Sequence, residues 1–453
     1  MEGNQHRQED TKSICPECLR VLNARITQRG GGVYLEKSCP EHGFFRSLVW
    51  SDGEQYEKSF RYGKPGKKNL IKSYARDVSK GCPHDCGICP DHRQHTCFAM
   101  VELTNRCNLN CPVCYASAND LPVDEPTIEK LEEMFRFILS CEVYPPTLQL
   151  TGGEPTIRED LVDIVRMAKS LGFVDITLSS NGVVLAEDPG LAKRLADAGL
   201  SEVSLQFDGT TDDVYVKIRG APLLSTKLQT IDNVQAAGLS ISVAAALVPG
   251  INMSQIGDII RFAKQRRLDG VALSPMTYTG RYPDAVFSPE NRLSIPDVLK
   301  AVERQTDSEL KASDFVPVPC PDTRCSTMTY AFNTSEGLVP LTRVCDVGSY
   351  LDSLLYGERV VSGELVRDSL ESLWSMSAVP GSARVQEGIR NCSPTDLFQT
   401  AKCMSITIHG FQDAWNFDIE RVKKCCIHVA TPDKKLIPFC VYNNLVRSPD
   451  AHA

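Results

Sequence analysis

Several features are absent or scarce in these 453 residues. There is no basic excess: 57 Asp and Glu outweigh 49 Lys and Arg, leaving a net charge of -8 at pH 7. That balance argues against the broad cationic footprint of a nucleic-acid binder. No apolar run approaches the ~20 residues of a membrane span. No leader with a basic start, an apolar stretch and a small-residue cleavage site opens the chain, so the expected location is cytoplasmic. Aromatic residues make up only 7% of the chain, against 42% hydrophobic residues overall, so its core must be mainly aliphatic. At this length a single ordinary domain is too small an answer, and two or three units are expected.

What the chain has in quantity is cysteine, 19 in all. A disulfide framework belongs to small secreted domains, whereas here the thiols bunch at gaps of two and three residues in a large chain, which points to metal. Cys15, Cys18 and Cys39 form one group, and Cys82, Cys86, Cys89 and Cys97 a second. Cys107, Cys111 and Cys114 form a third, and a scattered C-terminal set includes Cys320, Cys325, Cys425, Cys426 and Cys440. Cys141 sits in an apolar helical pattern and reads as a small core hydrophobe.

Between residues 98 and 280 short apolar runs alternate with helical-period segments. "CFAMVELT" precedes "TIEKLEEMFRFILSC", "PTLQLTGGEP" precedes "REDLVDIVRMAKSLG", and the alternation continues to "GVALSPMTYTG". Helices stop at Gly172, Gly199 and Gly238. About six such repeats require a parallel sheet with helices outside, an α/β fold that curvature makes a barrel or partial barrel, with its site at the C-terminal strand ends. "ELTNRCNLNCPVCYASAN" places Cys107, Cys111 and Cys114 directly after the first strand. Three thiolates on one loop hold three corners of a four-iron cluster and leave one iron open, as a catalytic centre requires.

With these gaps after a first strand, the segment resembles the radical S-adenosylmethionine (SAM) superfamily. The resemblance implies a partial (β/α)6 barrel over residues 98–280 whose open iron chelates SAM. It also implies roles at the strand ends. In "LTGGEP", Gly152 and Gly153 would let backbone approach the ligand and Glu154 would accept from its ammonium group. In "LSSNG", Ser180 and Asn181 would contact the nucleoside. Gln206 and Asp208 of "SLQFDG" would face the ribose, and Arg219 of "YVKIRG" would pair with the SAM carboxylate. Each polar residue also reads as turn or cap chemistry. Val113 stands where the superfamily often has an aromatic.

The flanks suggest further metal. "CPECL" and "CPEHG" around a strand-like stretch place Cys15, Cys18, Cys39 and His42 as two knuckles, a rubredoxin- or zinc-ribbon-like arrangement for one mononuclear zinc or iron in a domain of residues 1–60. Cys82, Cys86, Cys89 and Cys97, in a segment of residues 61–97, suffice for an auxiliary four-iron cluster. There His84, His92 and His95 read as loop residues rather than ligands. Residues 281–453 form a C-terminal extension in which Cys320, Cys325, Cys425 and Cys440 are expected to hold a second auxiliary cluster, with Cys426, Cys345, Cys392 and Cys403 as alternatives.

The whole order, "CPECL…CPEHG…GCPxDCGxC…CNLNCPxC…PVPCP…IPFC", resembles the multi-cluster radical SAM proteins that include archaeal tetraether lipid synthase and a dihydropterin methylase. Two substrates follow: the terminal carbons of isoprenoid lipid chains, joined by a carbon-carbon bond, or a dihydropterin methylated from a folate-like carrier. Apolar strand ends, "SISVAAALVPG" and "GVALSPMTYTG", favour the hydrocarbon with peripheral membrane contact, although ordinary buried strands read the same way. A pterin pocket should instead aim polar side chains inward. A low-potential electron donor such as ferredoxin or flavodoxin is the expected partner.

Overall fold

The computed structural model describes residues 9–335, 337–345, 347, 364–392 and 401–447. It opens with a four-stranded antiparallel sheet in chain order: β1 (Glu9–Ile14), β2 (Val21–Arg29), β3 (Gly32–Cys39) and β4 (Gly43–Trp50). β2 and β3 form the hairpin expected between the cysteine knuckles. The knuckles are the turns at either side, with Cys15 and Cys18 between β1 and β2, and Cys39 and His42 between β3 and β4. Lys37, buried on β3, donates to Ser13 Oγ at 3.0 Å and to the carbonyls of Ala414 at 2.5 Å and Trp415 at 3.0 Å. The small sheet is therefore anchored to residues far along the chain. A short helix, α1 (Gly53–Ser59), follows, capped by the Asp52 carboxylate.

Strands and helices then alternate as the periodicity predicts. β5 (Phe98–Thr104) leads through a long loop to α2 (Ile128–Cys141), and β6 (Thr147–Gly152) leads to α3 (Leu161–Leu171). β7 (Ile176–Ser180) precedes α4 (Val183–Glu187) and α5 (Pro189–Ala198), and β8 (Glu202–Gln206) precedes α6 (Asp212–Arg219) and α7 (Leu224–Ala236). β9 (Ser240–Leu247), α8 (Ile256–Gln265) and β10 (Gly270–Pro275) complete the series. Each of β5 to β10 is parallel to the next. Cys141 is fully buried in the core, as a small hydrophobe would be.

The C-terminal residues do not stand apart from this sheet. After α9 (Ile295–Gln305) come β11 (Val316–Pro317), β12 (Ser326–Thr334), β13 (Gly337–Pro340), α10 (Glu364–Leu373) and α11 (Ala383–Cys392). β14 (Lys402–His409) adds parallel to β10, while β15 (Ile427–Thr431), followed by β16 (Lys435–Pro438), adds parallel to β5. The extension therefore prolongs the barrel sheet at both edges, giving a 12-stranded open sheet. Among the described residues no helix is long and apolar enough to cross a membrane.

Period-two alternation decides what the barrel mouth offers. Val243, Ala245, Leu247, Val271 and Leu273, the apolar residues that suggested a hydrocarbon groove, pack into the core. The expectation that they line a pocket is corrected: on each strand they alternate with the half-buried residues of the other face. That face carries Gln149, Ser179, Ser204, Gln206, Ser274 and Thr407, which are short or polar.

Glu202, at the start of β8, is buried, and burial pushes its carboxyl up to about 8, with Asp269 and Asp175 adding to the shift. Between the ordinary carboxylate range and pH 8 the folded chain keeps a proton that the unfolded chain releases. Stability from this group is full below the unfolded pKa and declines as pH rises through the folded one, by about 1.4 kcal/mol per unit. Glu202→Gln should flatten that decline in denaturant titrations run at several pH values. An identical slope in the variant would exclude Glu202 as its source.

Candidate active site and metal centres

The loop after β5 is held in shape by its own polar atoms and by neighbouring strand ends. Asn119 accepts from the Cys107 N–H at 2.8 Å and donates to the carbonyls of Cys107 and Leu109, both at 3.1 Å. The Leu109 N–H points at Cys107 Sγ at 3.4 Å, and the Asn181 amide approaches the same sulfur at 3.8 Å. Such donors favour a thiolate ligand. Burial pushes the Cys107 thiol up to about 11 and raises Cys111 as well. Metal binding, rather than neutral pH alone, would displace the protons of these thiols.

Gly152 and Gly153 are required by close backbone packing. A Cβ at Gly152, whose φ is +139°, would lie 2.2 Å from the Thr104 carbonyl oxygen, and one at Gly153 would lie 2.1 Å from that of Arg106. What approaches them is the root of the cysteine loop itself, tied by Gly153 N–H to Thr104 O at 2.7 Å and Glu154 N–H to Arg106 O at 2.9 Å. Glu154 is buried and already engaged. It accepts from the Thr156 N–H at 3.1 Å, the Thr156 hydroxyl at 2.6 Å, the Ser180 hydroxyl at 2.9 Å and the Asn181 N–H at 2.6 Å. The "GGEP" and "SSNG" turns thus form one hydrogen-bonded unit against the loop.

Gln206 donates to Asp208, and Arg219 grips the Asp208 carboxylate with two bonds of 2.6 and 2.9 Å. Arg219 also donates to the Val113 carbonyl at 3.0 Å. The eight residues predicted at the strand ends, two glycines and six polar side chains, therefore lie together at the C-terminal edge of the sheet, joined more to one another and to the cysteine loop than sequence spacing conveys. Val113 is buried among Val214, Ile218, Val248, Met276 and Tyr278.

The remaining thiols sort differently from their spacing. Cys15, Cys18, Cys39 and His42 bring their ligand atoms within 4.8 Å of one another, with Cys18 and Cys39 sulfurs 3.9 Å apart and His42 Nδ1 3.4 Å from Cys39 Sγ. Zinc-sulfur bonds of ~2.3 Å make a tetrahedral edge of ~3.8 Å, so these residues fit one mononuclear ion. Cys82 and Cys86 are hydrogen-bonded, and Cys86 also feels Cys89 and Cys425. Cys97, however, closes with Cys320 and Cys426 within 4.8 Å, the last two sulfurs being 3.7 Å apart. Cys325, Cys425 and Cys440 act on one another electrostatically. The groupings by spacing are corrected accordingly: Cys97 has Cys320 and Cys426 as its thiol neighbours. Cys392 and Cys403 lie inside a hydrophobic cluster, with Cys345 packed against it.

Arg421 sets the charge of this region. It is buried, donates to Cys325 Sγ at 3.4 Å and to the Gly410 carbonyl at 2.8 Å, and its Nε has no partner. It also donates to the Arg324 carbonyl at 3.3 Å, and Cys325 is the strongest of the negative groups that act on it, ahead of Asp322. A buried guanidinium beside thiols suits an anionic thiolate centre.

Sequence reasoning did not single out Arg281. Its backbone pairs with Cys114 through bonds of 2.8 and 2.9 Å, while its side chain donates to the carbonyls of Cys111 at 2.8 Å and Ala118 at 3.2 Å and to Asp120 at 2.6 Å. The available signal was the preceding Gly280, at φ +65°, where a Cβ would meet the Cys114 carbonyl oxygen at 2.4 Å. His92 and His428 form a buried pair, Nε2 to Nε2 3.2 Å, and His92 Nε2 also lies 2.8 Å from the Cys425 carbonyl oxygen.

Parallel strands with three thiols on the loop after the first and a Gly-Gly-Glu turn after the second define a radical SAM barrel, and residues 101–263 match the Radical SAM superfamily model. Residues 8–51 match the HMPTM N-terminal zinc ribbon domain. The chain belongs to the radical SAM superfamily and, within it, to the family of a 7,8-dihydro-6-hydroxymethylpterin dimethyltransferase of Methanocaldococcus jannaschii, with 36% identity across 97% of this chain and 94% of that one. It is also similar to a GTP 3',8-cyclase of Nautilia profundicola, 33% identical over 37% of this chain and 53% of the cyclase, so the match spans about half the cyclase's length. Among solved structures, the Streptococcus suis SuiB complex with precursor peptide SuiA overlaps 48% of this chain and 47% of its own at 15% identity and a TM-score of 0.39. The protein is a radical SAM enzyme, a class that works with SAM and a [4Fe–4S] cluster.

Proposed function

We propose that the enzyme methylates a dihydropterin, taking carbon from the methylene group of a folate-like carrier. The observation that carries this reading is the match to the dihydropterin dimethyltransferase along nearly the whole of both chains. The polar inner face of the barrel supports it, since Gln149, Ser179, Ser204, Ser274 and Thr407 offer hydrogen bonds to a flat heterocycle and little to a hydrocarbon. The joining of lipid chains rested on apolar strand ends that are core residues instead.

Cys107, Cys111 and Cys114 would hold the catalytic cluster, which with SAM supplies a 5'-deoxyadenosyl radical that abstracts hydrogen from unactivated carbon. Asn119 and Arg281 keep the loop folded around that centre. Glu154 orders the Ser180–Asn181 turn, and Asp208 orients Arg219. Cys15, Cys18, Cys39 and His42 would hold one zinc or iron. Two auxiliary centres would share the remaining thiols, which lie as Cys82, Cys86 and Cys89 with Cys425 near them, as Cys97 with Cys320 and Cys426, and as Cys325 with Cys425 and Cys440. Electrons would come from a ferredoxin- or flavodoxin-like donor.

If Cys97, Cys320 and Cys426 serve one centre, single Ser variants should each lose the same amount of iron, and the Cys97→Ser/Cys426→Ser double variant no more than either single. Additive losses would separate them. For the substrate, a carrier deuterated at its methylene group should pass label into 5'-deoxyadenosine when dihydropterin is present. Label arriving instead from lipid deuterated at its terminal methyls would overturn the pterin reading.

A further inference from the structure

Lys227, on α7, is fully enclosed, with no exposed surface. Its ammonium donates to the Asn181 carbonyl and to Gln206 Oε1, the latter at 2.9 Å, and lies 5.8 Å from the centre of the Tyr215 ring. Both acceptors are neutral, and among the described residues Lys227 forms no ion pair. A buried ammonium without a contacting carboxylate is costly, so its place needs a reason. The reason lies in what its two acceptors hold. Asn181 reaches Cys107 Sγ at 3.8 Å and Asn108 Oδ1 at 2.7 Å through its amide. Gln206 leads through Asp208 to Arg219, which donates to the Val113 carbonyl at 3.0 Å and also bonds Cys111.

We propose that Lys227 is a positioning residue that ties these two hydrogen-bonded chains together behind the cysteine loop and supplies positive charge when the loop's thiols are ionised as ligands. A thiolate-bound cluster adds negative charge next to Asp208 and Glu154, which Arg219 alone does not balance. The charged and titratable groups that face the ammonium are Asp208, Arg219, Glu154 and Cys111, with the Tyr215 ring beside it. Burial lowers the ammonium to about 7, and the Asp208 carboxylate opposes that shift.

The inference rests on Cys107, Cys111 and Cys114 being the cluster ligands and is independent of the pterin reading. Its test uses reconstituted holoenzyme, Lys227→Met and Lys227→Arg. With iron and ribbon metal at wild-type content, Lys227→Met should bind SAM about tenfold more weakly in equilibrium dialysis, the loss of about one charged hydrogen bond. The midpoint potential of the SAM-free cluster should be lower in Lys227→Met and recover towards wild type in Lys227→Arg. The wild-type potential should fall as pH rises through the titration of Lys227, while that of Lys227→Met stays level. Wild-type SAM affinity and potential in a well-loaded Lys227→Met protein would overturn the proposal. If that variant does not fold, the wild-type potential decides alone: a fall with pH supports the proposal, and a flat profile overturns it. A wild-type protein that binds no SAM would instead count against the ligand assignment.

Discussion

Replacing Cys107, Cys111 or Cys114 by Ala should reduce 5'-deoxyadenosine formation below detection in each single variant, while the N-terminal metal stays bound. Each thiol would hold one corner of the same cluster, and two corners on a loop this short cannot hold the open iron in place for SAM. Among the described residues the N-terminal metal site shares no contact with these side chains. Cys15, Cys18, Cys39 and His42 sit in a separate antiparallel sheet, and the loop's backbone is held by Asn119 and Arg281 whatever the thiols do. Metal analysis and turnover should therefore separate cleanly. A single variant that still makes 5'-deoxyadenosine would remove that cysteine from the catalytic centre.

Arg281→Ala should leave the metal ligands in place yet weaken SAM binding about a hundredfold. The side chain makes three bonds to the loop, to the Cys111 and Ala118 carbonyls and to Asp120, and lies only 25% exposed. Hydrogen bonds from a charged group contribute roughly 1.5 kcal/mol or more each, so losing the effect of two costs about 3 kcal/mol, or two decades in affinity. Arg281→Lys keeps the charge but not the fork, and should fall between the two. SAM titration of the reconstituted variants reads this directly. Wild-type affinity in Arg281→Ala would show that the backbone pairing with Cys114 holds the loop without the side chain.

Local pattern carried the barrel. "EVSLQFDG" is β8, and the helices that should stop at Gly172 and Gly199 do so, with both glycines left-handed at φ +110° and +106°. The three-thiol loop was equally legible, because all its information lies within eight residues. The partners of Cys97 were not. β15 pairs with β5 in a register that sets Ile427 beside Phe98, so the residues just before each strand, Cys426 and Cys97, become neighbours, with Cys97 N–H donating to the Cys426 carbonyl at 2.9 Å. That proximity arises from the pairing of strands at opposite ends of the barrel sequence, and spacing carries no record of it. The substrate face was misread for a related reason. "SISVAAAL" is apolar as a string, but its larger residues Ile241, Val243 and Leu247 alternate towards the core and leave Ser240, Ala244 and Ala246 on the other face. Lys227 carried no motif, and Arg281 no more than the glycine before it, because each acts through distant partners that only the fold assembles.

On the proposed function, this radical SAM enzyme adds carbon to a pterin. The most direct measurement is anaerobic turnover of the reconstituted protein with SAM, a low-potential reductant, 7,8-dihydro-6-hydroxymethylpterin and a folate-type carrier labelled with carbon-13 at its methylene group, followed by mass spectrometry of the pterin. The account predicts a pterin heavier by one or two labelled methylene units, formed only when SAM and reductant are both present. Formation of 5'-deoxyadenosine with the pterin left unchanged would contradict it.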